Sequence, residues 1–347
     1  MRLEIDVVVR RGRIAESLHR IQAAVSDSAG RPVAGTDGAG RVTTFRSAAK
    51  PFQLLPLVER GHAERWRLSD EELAIMSGSH TGSPYHVALV RGLLERFEVT
   101  DRQLACGYHE PPDPESAAHL LTHPEERSPV YNNCSAKHAG MLGLARSEGW
   151  PLEGYERASH PVQQLMRRTV AEVCGMSADQ VEIAVDGCGV SVFGLPLAAM
   201  ARGYAVFAAA DPKAGDRERA LDRIRRAMQR YPQAVGGPGR FSTALMEAGA
   251  GRWVAKGGAE GLECVGIPAR GWGVAAKCED GQSRGVAPAV IALLSQLGEI
   301  EPAALERMRE MRRPVIRNHA GLEVGSLEAS VRVLASPEAG TAATRDV

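Results

Sequence analysis

The sequence predicts an α/β fold, with one antiparallel sheet built from strands at both ends of the chain, flanking helices, and a helical middle region. Two observations carry this. Residues 3–9 (LEIDVVV), 18–25 and 31–35 read as strands at one end, while 251–256 (GRWVAK), 261–267 (GLECVGI) and 271–277 (GWGVAAK) read as an antiparallel meander at the other. Between them the apolar residues fall at helical spacing instead.

The elements follow in order. Pro51 is tolerated only in the first turn of a helix, because its ring collides with the carbonyl four residues back and it lacks an N–H. A helix over roughly 48–60 therefore begins with Ser47 at or near its N-cap and stops at Gly61, a good C′ residue. Ser69 followed by Asp70, Glu71 and Glu72 is a capping box, so a short helix spans 70–76. Ser83-Pro84 opens an amphipathic helix to about 96, with Val87, Val90, Leu93 and Leu94 at helical spacing. Further helices are expected at 135–147, 160–174, 189–201, 216–230 and 286–298. The expectation is one domain over 1–330 with a frayed tail at 331–347.

Composition narrows the function. Hydrophobic residues make up 44% and charged residues 24%, and 42 basic residues balance 42 acidic ones. With no net field, neither nucleic acid nor a membrane surface is an expected partner. No run approaches the roughly 18 apolar residues of a membrane span, and acids near Met1 interrupt any export signal, so a cytoplasmic protein is expected. Six cysteines in that setting point to thiols or metal ligands rather than disulfides. Only five of the basic residues are lysine: Lys50, Lys137, Lys213, Lys256 and Lys277. Where arginine is the default cation, a lysine asks for a reason, such as a pKa that can be depressed. Lys213, in Asp211-Pro212-Lys213-Ala214-Gly215, reads as loop filler.

Three clusters carry chemistry. Ser47 and Lys50, one helical turn apart, share a face, and a partly buried lysine can serve as base for a serine at a helix start. The spacing alone is common, and a capping serine beside a solvated lysine is the bland alternative. Ser79, in a glycine-flanked loop, and Lys256 before Gly257-Gly258 are placed as in Ser-x-x-Lys hydrolases, where a strand-edge N–H completes an oxyanion hole. In the third cluster, Cys134 and Cys188 with a nitrogen donor would suit Zn²⁺; donor chemistry alone favours His138 over Lys137. Two buried thiols, or a Cys134–His138 nucleophile, remain open there. Asp186 and Glu110 are candidates for a substrate ammonium; Arg46, His80 and Arg284 are candidates for a carboxylate. Asp280, near Lys277, reads as a turn acid.

Together these stretches resemble the second family of bacterial asparaginases, the Rhizobium-type or thermolabile enzymes. The motifs are Arg46-Ser47-Ala48-Ala49-Lys50-Pro51-Phe52-Gln53, Ser77-Gly78-Ser79-His80, Cys106-Gly107-Tyr108-His109 and Asn132-Asn133-Cys134-Ser135-Ala136-Lys137-His138. They continue with Asp186-Gly187-Cys188-Gly189, Lys256-Gly257-Gly258-Ala259-Glu260-Gly261 and Lys277-Cys278-Glu279-Asp280-Gly281. The resemblance implies a fold like serine β-lactamases and penicillin-binding proteins, and hydrolysis of L-asparagine to L-aspartate and ammonia. It implies two pairs, Ser47–Lys50 and Ser79–Lys256, with Arg46, His80, Asp186 and Ala259 around the substrate. It implies Zn²⁺ on Cys134, Lys137 and Cys188, which moves the nitrogen ligand from His138 to Lys137, and a homodimer. Cys278 departs from the pattern, where an aliphatic residue is expected. A β-lactamase or DD-peptidase, and a non-enzymatic zinc or thiol regulator, are the alternatives.

Overall fold

Strand β1 (Arg2–Arg11) buries Leu3, Ile5, Val7 and Val9 on one face, the period-2 signature of a half-buried strand. It turns at Gly12 into β2 (Ile14–Asp27), followed by β3 (Pro32–Gly35) and β4 (Val42–Thr44). The computed structural model describes residues 1–335. Helix α1 (Lys50–Glu59) comes next, then α2 (His62–Arg65), α3 (Asp70–Met76), α4 (Pro84–Arg96) and α5 (Pro114–Thr122). The Ser69 capping box on α3 is formed, with Ser69 Oγ accepting from Glu72 N and Glu72 accepting from Ser69 N.

Helix α6 (Ser135–Glu148) is buried on every side from Ser135 to Ala145, which makes it the axis of the helical region. Helix α7 (Pro161–Val173) leads to β5 (Glu182–Val185), β6 (Ser191–Pro196) and α8 (Leu197–Ala209). The helix expected at 189–201 is therefore wrong. Ser191–Leu195 pairs on both sides, with β4 and β5, and Pro196, which cannot lie inside a helix, becomes the cap of α8.

Helices α9 (Asp216–Arg230), α10 (Pro232–Val235) and α11 (Phe241–Gly249) precede the expected meander: β7 (Val254–Gly258), β8 (Leu262–Ile267) and β9 (Trp272–Cys278). Helices α12 (Val286–Gln296), α13 (Pro302–Arg307) and α14 (Arg309–Arg312) are followed by β10 (Val315–Arg317) and β11 (Glu323–Leu334). Among the described residues the main sheet has the order β10-β11-β1-β3-β2-β9-β8-β7 and is antiparallel apart from the β1–β3 contact. Strands from both ends of the chain thus share one sheet, within a mixed α/β architecture.

The frayed tail needs correcting, because β11 runs through Leu334 and pairs with β1 from Gly325 to Leu334. The rest of that expectation, residues 336–347, lies outside the described residues.

What this positions is the turn bearing Ser47. Phe45, Phe52, Tyr204 and Phe207 stack beneath it with ring centroids 5.4 to 6.3 Å apart. Tyr204, on α8, donates to the Ala48 carbonyl at 2.8 Å. A T-shaped aromatic cluster of this kind fixes geometry as well as burying area.

Candidate active site

Ser47 does not cap α1 through its side chain. It sits in a 3₁₀ turn, Arg46–Ala49, that runs directly into the helix, so its Cα still lies at the positive end of α1. Arg46 ahead of it has φ +44°, an uncommon conformation for a non-glycine residue. Arg46 Nε lies 2.7 Å from Asp186 Oδ1, although neither atom has a well-aligned hydrogen bond. Edge strand β7 presses on this turn: a Cβ on Gly258 would meet Arg46 Cβ at 3.2 Å and the Phe45 carbonyl at 3.3 Å. Glycine there brings the strand edge against the serine.

Lys50 is 1% exposed and donates to Gly78 O (2.5 Å), Ser79 Oγ (2.9 Å) and Asn133 O (3.2 Å). Burial, reinforced by the charge of Lys137, pulls its pKa below the usual lysine value. The sequence pairs Ser79 with Lys256; the hydrogen bond in the structure joins Ser79 to Lys50 instead. Lys256 is buried, donates to the Gly257 carbonyl at 2.7 Å, and has its pKa drawn down to about 7 by burial and by Lys50.

Ser47, Ser79, Asn133 and Lys256 line one cleft of about 520 Å³, with Gly257–Gly261 along one wall. Two residues with no assigned role in the sequence reading, Ser242 and Glu263, line it as well. Ser242 Oγ donates to Glu263 Oε1 at 2.7 Å and accepts from Gly257 N at 2.9 Å. Burial pushes the Glu263 carboxyl up to about 7, against the opposing pull of Ser242 and Lys256. One signal could have found Glu263, since it is an acid inside the otherwise apolar run 261–267.

Behind Lys50 lies a closed nest of sulfur and nitrogen. Cys134, Lys137 and Cys188 are each nearly fully buried, and Lys137 Nζ donates to Cys188 Sγ at 3.0 Å. Cys188 Sγ lies 3.4 Å from Asp186 Oδ2. The hydrogen bond from Cys188, helped by Lys50 and Lys137, holds Cys134 well below the usual thiol value. Burial disfavours the Lys137 ammonium, but Cys134 and Cys188 outweigh it and raise its pKa. His138 does not join the sulfurs: its Nδ1 lies 2.6 Å from Tyr155 Oη.

A model of the family described as L-asparaginase II matches residues 7–329. The chain belongs to the L-asparaginase II family. Among solved structures it is similar to Mglu in its native form in 4.3 M NaCl, at 16% identity and TM-score 0.44, covering 82% of this chain and 63% of that one. Mglu in its tris and glutamate form gives 17% identity and TM-score 0.37, covering 83% and 62%. The chain thus spans a little under two thirds of the length of each. No curated protein matches it.

In this member of the L-asparaginase II family the remaining expected residues divide. Ala259 lines the cleft and so does Arg284, whose Nε donates to His19 Nε2 at 2.9 Å. His80 does not fit a substrate ligand. It is fully buried, Nε2 lies 2.9 Å from Ser135 Oγ, and Nδ1 accepts from Gly82 N. Its ring holds the Ser79 loop to α6, and both nitrogens are used. Asp186 is engaged by Arg46 and Cys188, and Glu110 is exposed away from the cleft lining. Asp280 is more than a turn acid, because it accepts from Cys278 Sγ and Gln282 N and lies 2.6 Å from His19 Nδ1. With His19 and Cys278 it forms a three-donor group of the kind that could take a metal, and these hydrogen bonds already occupy its carboxylate. Among the described residues, no helix is long and apolar enough to cross a membrane.

Proposed function

We propose that this protein is an L-asparaginase, converting L-asparagine and water to L-aspartate and ammonia through a Ser47 acyl-enzyme. The observation that carries the reading is the buried amine of Lys50, its pKa lowered by burial, hydrogen-bonded to Ser79 beside a cleft that Ser47 lines, in a chain of the L-asparaginase II family. Ser47 attacks the side-chain amide and its proton passes to Lys50, the base one turn along the helix. The oxyanion rests on backbone N–H groups at Ser47 and along the Lys256–Ala259 edge, which Gly258 lets approach. Ser79, with Lys256 beside it, relays a proton to the departing ammonia, and water resolves the β-aspartyl ester.

Cys134, Lys137 and Cys188 would hold Zn²⁺. Two sulfurs and an amine around one buried point, one sulfur already favouring the thiolate, form a donor set that suits this ion. The ion would organise the pocket and supply positive charge near the substrate, and no water activation is needed. The reading includes a cytoplasmic homodimer, which light scattering checks for stoichiometry. The test of function is ammonia release from L-asparagine, with L-glutamine as comparison. No release from either amide overturns the reading, and nitrocefin turnover in its place favours a β-lactamase.

A further inference from the structure

A substrate that is a free amino acid brings a cation into the cleft as well as a carboxylate and an amide, and the cation needs an acceptor. The acids expected to meet it do not line the cleft. Asp186, beside Arg46 and Cys188, and Glu110 are both outside its lining. Glu260 lines the cleft but is exposed, where water screens a carboxylate and leaves it little selectivity. Glu263 differs on each count. It is 4% exposed, lines the cleft, and has only one carboxylate oxygen, Oε1, engaged, by Ser242.

The other oxygen has a place made for it. Gly257 pairs with Glu263 across β7 and β8, so the two share a face, and a Cβ on Gly257 would lie 2.7 Å from Oε2. Any larger residue at 257 would push the carboxylate aside. No donor among the described residues reaches Oε2, and the hydrogen bond of Lys256, the nearest cation by sequence, runs to the Gly257 carbonyl. A carboxylate with one oxygen fixed and the other free of any protein donor offers the cleft a pre-aimed acceptor for an arriving cation.

We propose that Glu263 receives the α-ammonium of the substrate, with Ser242 aiming it and Gly257 making room, so that the cleft selects α-amino acids over their des-amino analogues. This rests on the asparaginase reading for the amide, but not for the ammonium. A charge-assisted hydrogen bond in a dry site is worth far more than one at the surface, and a site built around a donor rejects ligands that lack it. Burial holds the free carboxyl near neutral pKa, and an ammonium alongside would hold it ionised.

The experiment compares L-asparagine with succinamate, the same amide without its amino group, on the full chain and on Glu263→Gln. In parallel, calorimetry compares binding of L-aspartate with that of succinate. The expected result is a wild-type preference for the amino compounds of at least about 100-fold, which falls by about 10- to 100-fold in Glu263→Gln, mostly through KM. If Glu263→Gln does not fold, Gly257→Ala reads the same ratio through the displaced carboxylate. An unchanged ratio in the folded variant overturns the proposal, as does wild-type binding that ignores the amino group. Aspartate binding that keeps the preference without any asparagine turnover breaks the asparaginase reading and leaves Glu263 in its role.

Discussion

Lys137 and Lys256 are buried to almost the same degree, at 5% and 4% exposed, and end in opposite states. Desolvation works against the ammonium in both. Lys137 nevertheless lies above the ordinary lysine value, because Cys134 and Cys188 face it, while Lys256 falls to about 7 with Lys50 as its like-charged neighbour. Burial therefore sets the stakes and the neighbours set the sign. The sulfur nest is where charge is fixed and neutralised; the cleft is where protons can change hands near neutral pH.

The largest effect expected of this division is on turnover. Ser47→Ala lowers kcat for asparagine by about three orders of magnitude or more, and Ser79→Ala by nearly as much, because the groups act as a unit. Ammonia release measured beside circular dichroism checks both, and near-normal turnover in Ser47→Ala breaks the assignment. Next comes stability. In the metal-free chain Lys137→Met strips a buried thiolate of its partner and costs about 3–5 kcal/mol in urea unfolding, whereas Lys256→Met removes a loosely held proton and costs about 1 kcal/mol or less. Equal losses would dissolve the contrast between the two sites. Metal analysis sharpens it: one Zn²⁺ per chain is expected in the wild type and none in Cys188→Ser.

The pH dependence of stability follows from the other buried pair. Glu263 is raised from 4.5 to about 7, so the folded state keeps a proton that the unfolded chain releases between those values. Its contribution is present below pH 4.5 and lost as pH rises to 7. Lys256 is lowered from 10.5 to about 7, so its contribution is present above 10.5 and lost as pH falls to 7. A melting temperature plotted against pH dips near 7. Glu263→Gln removes the acid-side limb, at most about 3 kcal/mol, and a dip that survives the substitution rules this pair out as its cause. The smallest effect is at Lys213: Lys213→Arg leaves stability within about 0.5 kcal/mol, as befits an exposed loop residue.

Local signals were legible where chemistry is local. The capping box at Ser69, the Pro51 constraint and the glycine-broken meander each depend on residues a few positions apart, and each element stands near its expected place. The helix expected at 189–201 failed because a short apolar run has no periodicity that separates a central strand from a buried helix; pairing with β4 and β5 decided it. Motif spacing brought Ser47, Ser79, Lys256, Cys134, Lys137 and Cys188 to one region, but it could not say who bonds whom. That Lys50 rather than Lys256 holds Ser79 depends on where α1 meets the loop after α3. His80 looked like a ligand for want of any sign that Ser135, 55 positions on, would occupy its ring. Glu263 went unread because its importance comes from a neighbouring strand, through Gly257.

The pairing of β1 with β11 has a consequence for how the chain is made. Arg2 meets Leu334 and Arg11 meets Gly325, so the strand synthesised first waits for one synthesised more than three hundred residues later. At a ribosome adding 5–20 residues per second, that leaves β1 with an open, apolar edge for on the order of 15 to 60 seconds. Such an edge is a template for stray pairing. A nascent chain arrested before residue 323 should therefore be a client for chaperones, and release of β11 should end that dependence. The serine cleft, hung from β7 at the opposite edge, is sheltered from the delay by the four strands between β1 and β7.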